Sequence, residues 1–171
     1  LLRLDILLVD DGSREGVPPE LARCTWYDNG GLRILRLRRN LGHQTAIAIG
    51  LSHIEQHFEC DAVLIMDGDG EDSPADALRL IEAIRQQPEP RIVFAERTYR
   101  SEGLLFRAGY VTYRMVHRIL TGRRIRFGNF SIIPREFLTT LVVVPELWVH
   151  YAAAVLKSRL PYEAIPTRRA R

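Results

Sequence analysis

Short apolar runs alternate along this chain with segments of helical periodicity. Leu4–Val9 is a strand-sized run that stops at Asp10-Asp11-Gly12-Ser13. Apolarity sustained over so short a length suits a strand buried on both faces. Arg33–Leu37, Ala62–Met66, Arg91–Ala95 and Phe130–Ile133 read as further strands, with Tyr162–Ile165 as a final one. Glu20–Tyr27 is expected to form a short helix after Pro18-Pro19, followed by a turn at Asp28-Asn29-Gly30-Gly31. Over Thr45–Phe58, Ala46, Ile47, Gly50, Leu51, Ile54 and Phe58 recur at helical spacing. Ser73-Pro74-Ala75-Asp76 opens another helix: Ser73 caps it, Pro74 fits its first position and Asp76 closes a capping box. Leu78, Leu80, Ile81 and Ile84 form its apolar face, and Pro88 and Pro90 stop it. An Arg-rich amphipathic helix is expected over Leu104–Leu120, another helix from about Pro134, and one over Pro145–Ser158.

Strands alternating with helices predict an α/β sandwich with a mainly parallel sheet. The 171 residues show no internal repeat and no low-complexity linker, and they suit one domain, 1–171. In such folds ligands bind beyond the carboxyl ends of strands. Two acidic clusters fall at such ends: Asp10-Asp11, and Asp67-Gly68-Asp69-Gly70-Glu71-Asp72.

Composition narrows the class. With 46% hydrophobic and 26% charged residues, collagen-like and disordered chains are excluded. No apolar run approaches the roughly 20 residues that span a bilayer as a helix. No cleavable signal peptide is visible, so the cytoplasm is the expected compartment. Cys24 and Cys60 make neither a disulfide framework nor a zinc set. The net charge of +3 conceals an asymmetry: residues 1–96 carry ten Arg against 17 Asp and Glu, a balance of −7, whereas 97–171 carry a balance of +10. That split fits an acidic, metal-binding half beside a half suited to phosphates or an anionic membrane surface, or else a solvated basic face. No nucleic-acid partner is expected. The chain starts at Leu1 close to a strand and stops in Thr167-Arg168-Arg169-Ala170-Arg171, so truncation at both ends is expected.

Four carboxylates in six residues repel one another unless a cation or solvent relieves them. Hard oxygen ligands suit Mg²⁺ or Mn²⁺. On an extended segment Asp67, Asp69 and Glu71 point the same way and converge on one ion, with Gly68 and Gly70 leaving the backbone open. Such an ion neutralises a diphosphate leaving group. An exposed acidic turn that caps the next helix is the plainer alternative, above all for Asp72 and Ser73. An EF-hand is excluded, because its obligatory glycine falls on Asp72 and its bidentate glutamate on Leu78. Neither a Walker loop nor a dinucleotide fingerprint is present. A haloacid-dehalogenase-type phosphatase also uses an aspartate pair after a strand and stays open, as does a non-catalytic nucleotide or lipid-phosphate binding module.

Three segments resemble one known family in order and spacing. Val9-Asp10-Asp11-Gly12-Ser13 resembles the V-D-D-G-S segment of inverting family-2 glycosyltransferases. Arg39-Asn40-Leu41-Gly42-His43-Gln44-Thr45-Ala46, with Gly50, resembles their R-N-x-G-x-x-x-A…G segment. Met66-Asp67-Gly68-Asp69-Gly70-Glu71-Asp72-Ser73-Pro74 resembles M-D-A-D-x-Q-x-x-P, which holds the D-x-D motif. The chain is most similar to the polyprenyl-phosphate, dolichyl-phosphate mannosyltransferase-like subgroup, and Gly128-Asn129-Phe130-Ser131 lies where that subgroup often has G-D-F-R.

The resemblance implies a GT-A fold, here without the family's first strand, with 1–96 as the nucleotide-sugar and metal half and 97–171 as the basic, acceptor-side half. It implies transfer from a UDP- or GDP-linked donor to a lipid phosphate at the cytosolic membrane face. It places Asp10, Asp11, Asn40 and Asp67 at the nucleotide, although Asn40 and Gly42 suit the shaping of a tight strand-to-helix loop better than binding. It places Asp67, Asp69 and Glu71 at the metal, Glu71 standing for the usual glutamine. The implied catalytic set is Asp69, Arg97 and Asn129. Arg100, Arg107 and Arg126 are further phosphate candidates, while Arg124 and Arg135 suit plain surface charge. His43 lies beside the donor loop. His53, His57, His117 and His150 show no metal-like spacing. Trp148 and Tyr151 suit packing or an interfacial membrane contact, and Leu104–Leu120 suits packing or a membrane surface.

Overall fold

The computed structural model describes residues 3–22, 30–97 and 127–167. Their elements are β1 (Ile6–Asp10), α1 (Pro19–Ala22), β2 (Leu32–Arg36), α2 (His43–His57), β3 (Ala62–Ile65), α3 (Pro74–Gln86), β4 (Ile92–Arg97), β5 (Ser131–Pro134), α4 (Arg135–Val142), a 3-10 turn (Pro145–Trp148), α5 (Tyr151–Ser158) and β6 (Tyr162–Thr167). The expected helix over Leu104–Leu120 and the second half of Glu20–Tyr27 lie outside the described residues. The chain divides into two compact units, Leu1–Cys60 with Glu136–Ser158, and Asp61–Arg135 with Arg159–Arg171. Each unit draws on both the acidic and the basic half of the sequence.

In the first unit β1 and β2 pair in parallel, from Ile6 opposite Leu32 to Asp10 opposite Arg36. Helix α2 lies on β1 at very short range: a Cβ on Gly50 would sit 3.0 Å from Val9 Cγ2. Small side chains at Ala46 and Gly50, one turn apart on the same helix face, permit that approach. Leu138 and Leu141 of α4, Leu147 of the 3-10 turn, and Tyr151, Ala152, Ala154 and Val155 of α5 are wholly buried. Each leucine so buried contributes about 1.5–3 kcal/mol.

The helix expected over Pro145–Ser158 is broken in two. The amides of Val149 and His150 both donate to the Glu146 carbonyl, which ends the 3-10 turn. The chain then starts afresh. The Tyr151 amide donates to Gln44 Oε1 at 2.7 Å. The His150 carbonyl accepts from the Ala154 amide, and His150 Nδ1 accepts from Ala153 at 3.4 Å. First-turn amides lack partners within their own helix, and here side chains supply them. One cap comes from 107 residues away, which periodicity cannot register.

In the second unit the strand order is β3-β5-β4-β6. Strand β5 runs antiparallel to both β3 and β4, and β6 runs parallel to β4. Three of the four strands therefore share one direction, as a mainly parallel α/β sheet requires. Residues Ile92–Ala95 are at most 3% exposed, so β4 is buried on both faces. On one face Leu80 of α3 packs with Val93, Ala95, Phe130 and Ile132, joined by the partly buried Ala77, Ile81 and Ile84. Leu78, expected on that face, is 63% exposed. The buried stripe follows 77, 80, 81 and 84, and position 78 is rotated about 100° away from its start. Ser73 does cap α3, its hydroxyl accepting from the Ala75 amide. Asp76 does not close a capping box: it pairs with Arg79 at 2.8 Å.

Candidate functional site

At the carboxyl end of β1 the two adjacent aspartates do different things. Asp10 closes the strand and is 8% exposed. Its Oδ1 accepts from the Ser13 amide at 2.8 Å, a local turn of the kind aspartate forms readily. Its Oδ2 lies 3.4 Å from Arg36 Nε, across the parallel register, and is buried without a hydrogen-bond partner among the described residues. Hydrogen bonds from the Ser13 backbone and then its side chain hold the Asp10 carboxyl below its ordinary range. Burial opposes them, and Arg36 adds to the lowering. A buried carboxylate oxygen with no donor is costly unless a ligand or water supplies one.

Asp11 spends both oxygens on the segment before α2. Oδ1 accepts from the Leu41 amide at 2.7 Å and Oδ2 from the Gly42 amide at 2.9 Å. Gly12 lets the two backbones meet. Its φ is +70°, and a Cβ there would lie 2.5 Å from the Arg39 carbonyl carbon and 2.6 Å from the Asn40 nitrogen. Leu37 extends the contact by donating its amide to the Asp10 carbonyl at 2.9 Å. Asn40 is exposed, and its side chain makes no hydrogen bond among the described residues. His43, the first residue of α2, is exposed and meets Gln44 at 2.9 Å.

In the second unit the Asp67–Asp72 loop leaves β3. Asp72 turns inward: it is 4% exposed, and its Oδ2 accepts from the Asp67 amide at 3.0 Å. Asp69 is exposed, and its Oδ1 accepts from the Glu71 amide at 2.9 Å. Gly70, at φ +80°, completes the bend. The segment is thus turned rather than extended, which removes the geometric ground for aligning alternate carboxylates. Among the described residues no three His, Cys, Asp or Glu side chains form a group able to hold a metal. A Mg²⁺ ion shared with substrate phosphates takes one or two protein carboxylates. Asp67 and Asp69 are the carboxylates of the loop that could meet that smaller demand.

Strand pairing brings other expected residues to the same end of this sheet. Ile65, at the carboxyl end of β3, is opposite Ser131, so Asp67 leaves the sheet where Asn129 and Phe130 enter it. The Phe130 carbonyl accepts from the Ala95 amide at 2.9 Å, and Arg97 ends β4 two residues further on. Asn129 is half-buried, and its carbonyl accepts from the Ser131 hydroxyl at 2.9 Å. Arg100, Arg107, Arg124 and Arg126 lie outside the described residues. Of the aromatic pair on the last helical segment, Tyr151 is fully buried and Trp148 is 46% exposed.

Two participants had no signal of their own in the sequence. Arg36 is the cross-strand partner of Asp10 only once β1 and β2 are in register. Gln44, inside the Arg39–Ala46 segment, reaches the start of α5 as well as its neighbour His43.

Acidic residues at strand carboxyl ends, on an α/β framework, lie where folds of this kind place their ligands. The chain belongs to glycosyl transferase family 2: the model of that family matches residues 1–148. Its mixed α/β architecture agrees with the GT-A type, and this membership sets aside the haloacid-dehalogenase reading. The chain is 29% identical over 137 residues to YkcC of Bacillus subtilis (strain 168), named an uncharacterized glycosyltransferase, a match covering 77% of this chain and 40% of that protein. It is 33% identical over 85 residues to the undecaprenyl-phosphate 4-deoxy-4-formamido-L-arabinose transferase of Erwinia tasmaniensis, covering 50% of this chain and 25% of that protein. The matched region thus spans two fifths or less of either relative.

Proposed function

We propose that this chain carries the sugar-transfer chemistry of an inverting enzyme that uses a UDP- or GDP-linked sugar and a polyprenyl-phosphate acceptor. The observation that carries the reading is the family match over 1–148, a span that includes Asp10, Asn40, Asp67, Asp69, Arg97 and Asn129. The relative whose name specifies undecaprenyl phosphate supports a lipid-phosphate acceptor.

In this reading Asp10 Oδ2, ion-paired with Arg36 but without a hydrogen bond among the described residues, receives one from the nucleoside. Asp67 and Asp69 would hold Mg²⁺ or Mn²⁺, which would supply charge neutralisation of a diphosphate leaving group. Arg97, whose guanidinium is a fixed bidentate donor, serves phosphate oxygens. Inverting transfer requires in-line attack at the anomeric carbon. A phosphate acceptor is already anionic near pH 7 and needs no proton removed. Asn129 is then an adequate residue at a position where a hydroxyl acceptor would call for a carboxylate base. A lipid acceptor places the transfer at the cytosolic face of a membrane. No described helix is long and apolar enough to cross one.

The test uses the intact protein with UDP- and GDP-sugars, Mn²⁺ or Mg²⁺, and a polyprenyl phosphate. Release of nucleoside diphosphate that depends on both metal and acceptor is the expected result. Binding without turnover would select the non-catalytic module instead, and neither binding nor turnover of any nucleotide sugar would overturn the proposal.

A further inference from the structure

We infer that Asp11 is a positioning residue rather than a ligand contact: it clamps the 37–42 segment so that Asn40 is presented to the nucleotide. The inference rests on the proposed function for its ligand, but its geometry stands apart from that reading. Both Asp11 oxygens are engaged, at 2.7 and 2.9 Å, with two consecutive amides some thirty residues away in sequence. Carboxylate-to-amide bonds are charge-assisted and stronger than neutral ones. The bonded amides belong to Leu41 and to Gly42, the N-cap of α2, whose own side chain offers no capping group. Asp11 thus supplies from a distance the negative charge and the acceptors that a helix start favours.

Two further contacts make the clamp stiff. Gly12 brings its backbone against Arg39 and Asn40 so closely that a Cβ would be 2.5–2.6 Å from them. Leu37 prolongs the β1–β2 pairing by its bond to the Asp10 carbonyl. Between those fixed points Asn40 carries an exposed carboxamide with no hydrogen bond among the described residues. A carboxamide has two donors and an acceptor, and holding its backbone from both sides removes conformational entropy that binding would otherwise cost. The adjacent aspartates therefore divide the work: Asp10 keeps one oxygen beside Arg36 without a hydrogen bond among the described residues, and Asp11 builds the loop.

Amide hydrogen exchange and calorimetric titration with UDP and with GDP in Mn²⁺, on the intact protein, test this. Asp11→Ala should abolish protection of the Leu41 and Gly42 amides and weaken nucleotide binding about tenfold. Asp11→Asn keeps one accepting oxygen and should fall between Asp11→Ala and wild type in both readouts, which serves if the alanine variant folds poorly. Because Asp11 acts through Asn40, Asp11→Ala should add little to the loss already produced by Asn40→Ala. Additive losses, or unchanged exchange at Leu41 and Gly42, would overturn the inference. Should neither nucleotide bind the wild type, the proposed function fails while the exchange result still decides the clamp.

Discussion

Asp10 and Asp11 are chemically identical neighbours, and their surroundings separate them. Asp10 is buried, bonded through one oxygen to Ser13 and paired with Arg36. Its folded-state carboxyl titrates below the ordinary value of 3.8. A depressed carboxyl stabilises the fold above the unfolded value, and that contribution is lost as pH falls through the folded value. Asp10→Asn should therefore lower the urea midpoint at pH 7 and cost progressively less as the pH is taken below about 3.8. A deficit that stays constant from pH 7 to pH 3 would show that the charge is not what matters. The sequence marks Asp10-Asp11 as a site because two carboxylates follow an apolar run. It says nothing of which is open, since that depends on Arg36 and the Leu41-Gly42 amides, both brought in by folding.

At the scale of elements, α2 is a strong periodic pattern with a titrating end. His53 and His57 stack at 4.4 Å in its last turns, His53 meets Phe58 edge-on, and Arg33 of β2 lies 4.2 Å over the Phe58 ring. Burial first, and then the positive charges of His57 and Arg33, lower the His53 pKa from 6.5. A histidine shifted down is held neutral by the fold. The stability tied to it is complete above pH 6.5 and is lost as the pH drops from there toward the folded value. The urea midpoint should thus fall between pH 7.5 and pH 5, and His53→Asn should flatten that slope. Parallel slopes for the two proteins would refute the assignment. Helix α2 begins at His43, two residues before its expected start at Thr45, because Gly42 and the Asp11 carboxylate supply a start that no local side chain announces. Strands were legible to within a residue or two, since a short apolar run has few other uses. The 3-10 turn was not, since its break depends on Gln44.

At the scale of the molecule, the carboxyl end of the β3-β5-β4-β6 sheet gathers Asp67, Asn129 and Arg97 from sequence positions far apart. If an ion joins that loop to a diphosphate, chelation with EDTA should weaken UDP or GDP binding at least tenfold and leave UMP or GMP binding nearly unchanged, with Mg²⁺ restoring it. Asp69→Asn should reproduce the loss without chelator. Calorimetry with the intact protein distinguishes the two nucleotide classes, and equal loss for mono- and diphosphates would remove the ion from the donor contact. The order of strands and helices, the acidic strand ends and the family resemblance were all readable from the chain, because hydrophobic periodicity and motif spacing are local in sequence. Folding alone decided that Asp10 meets Arg36, that both Asp11 oxygens are spent on Leu41 and Gly42, and that Asn129 enters beside Asp67. Those outcomes depend on hydrogen bonds and strand register between segments tens of residues apart, and no periodicity within a segment encodes its partner.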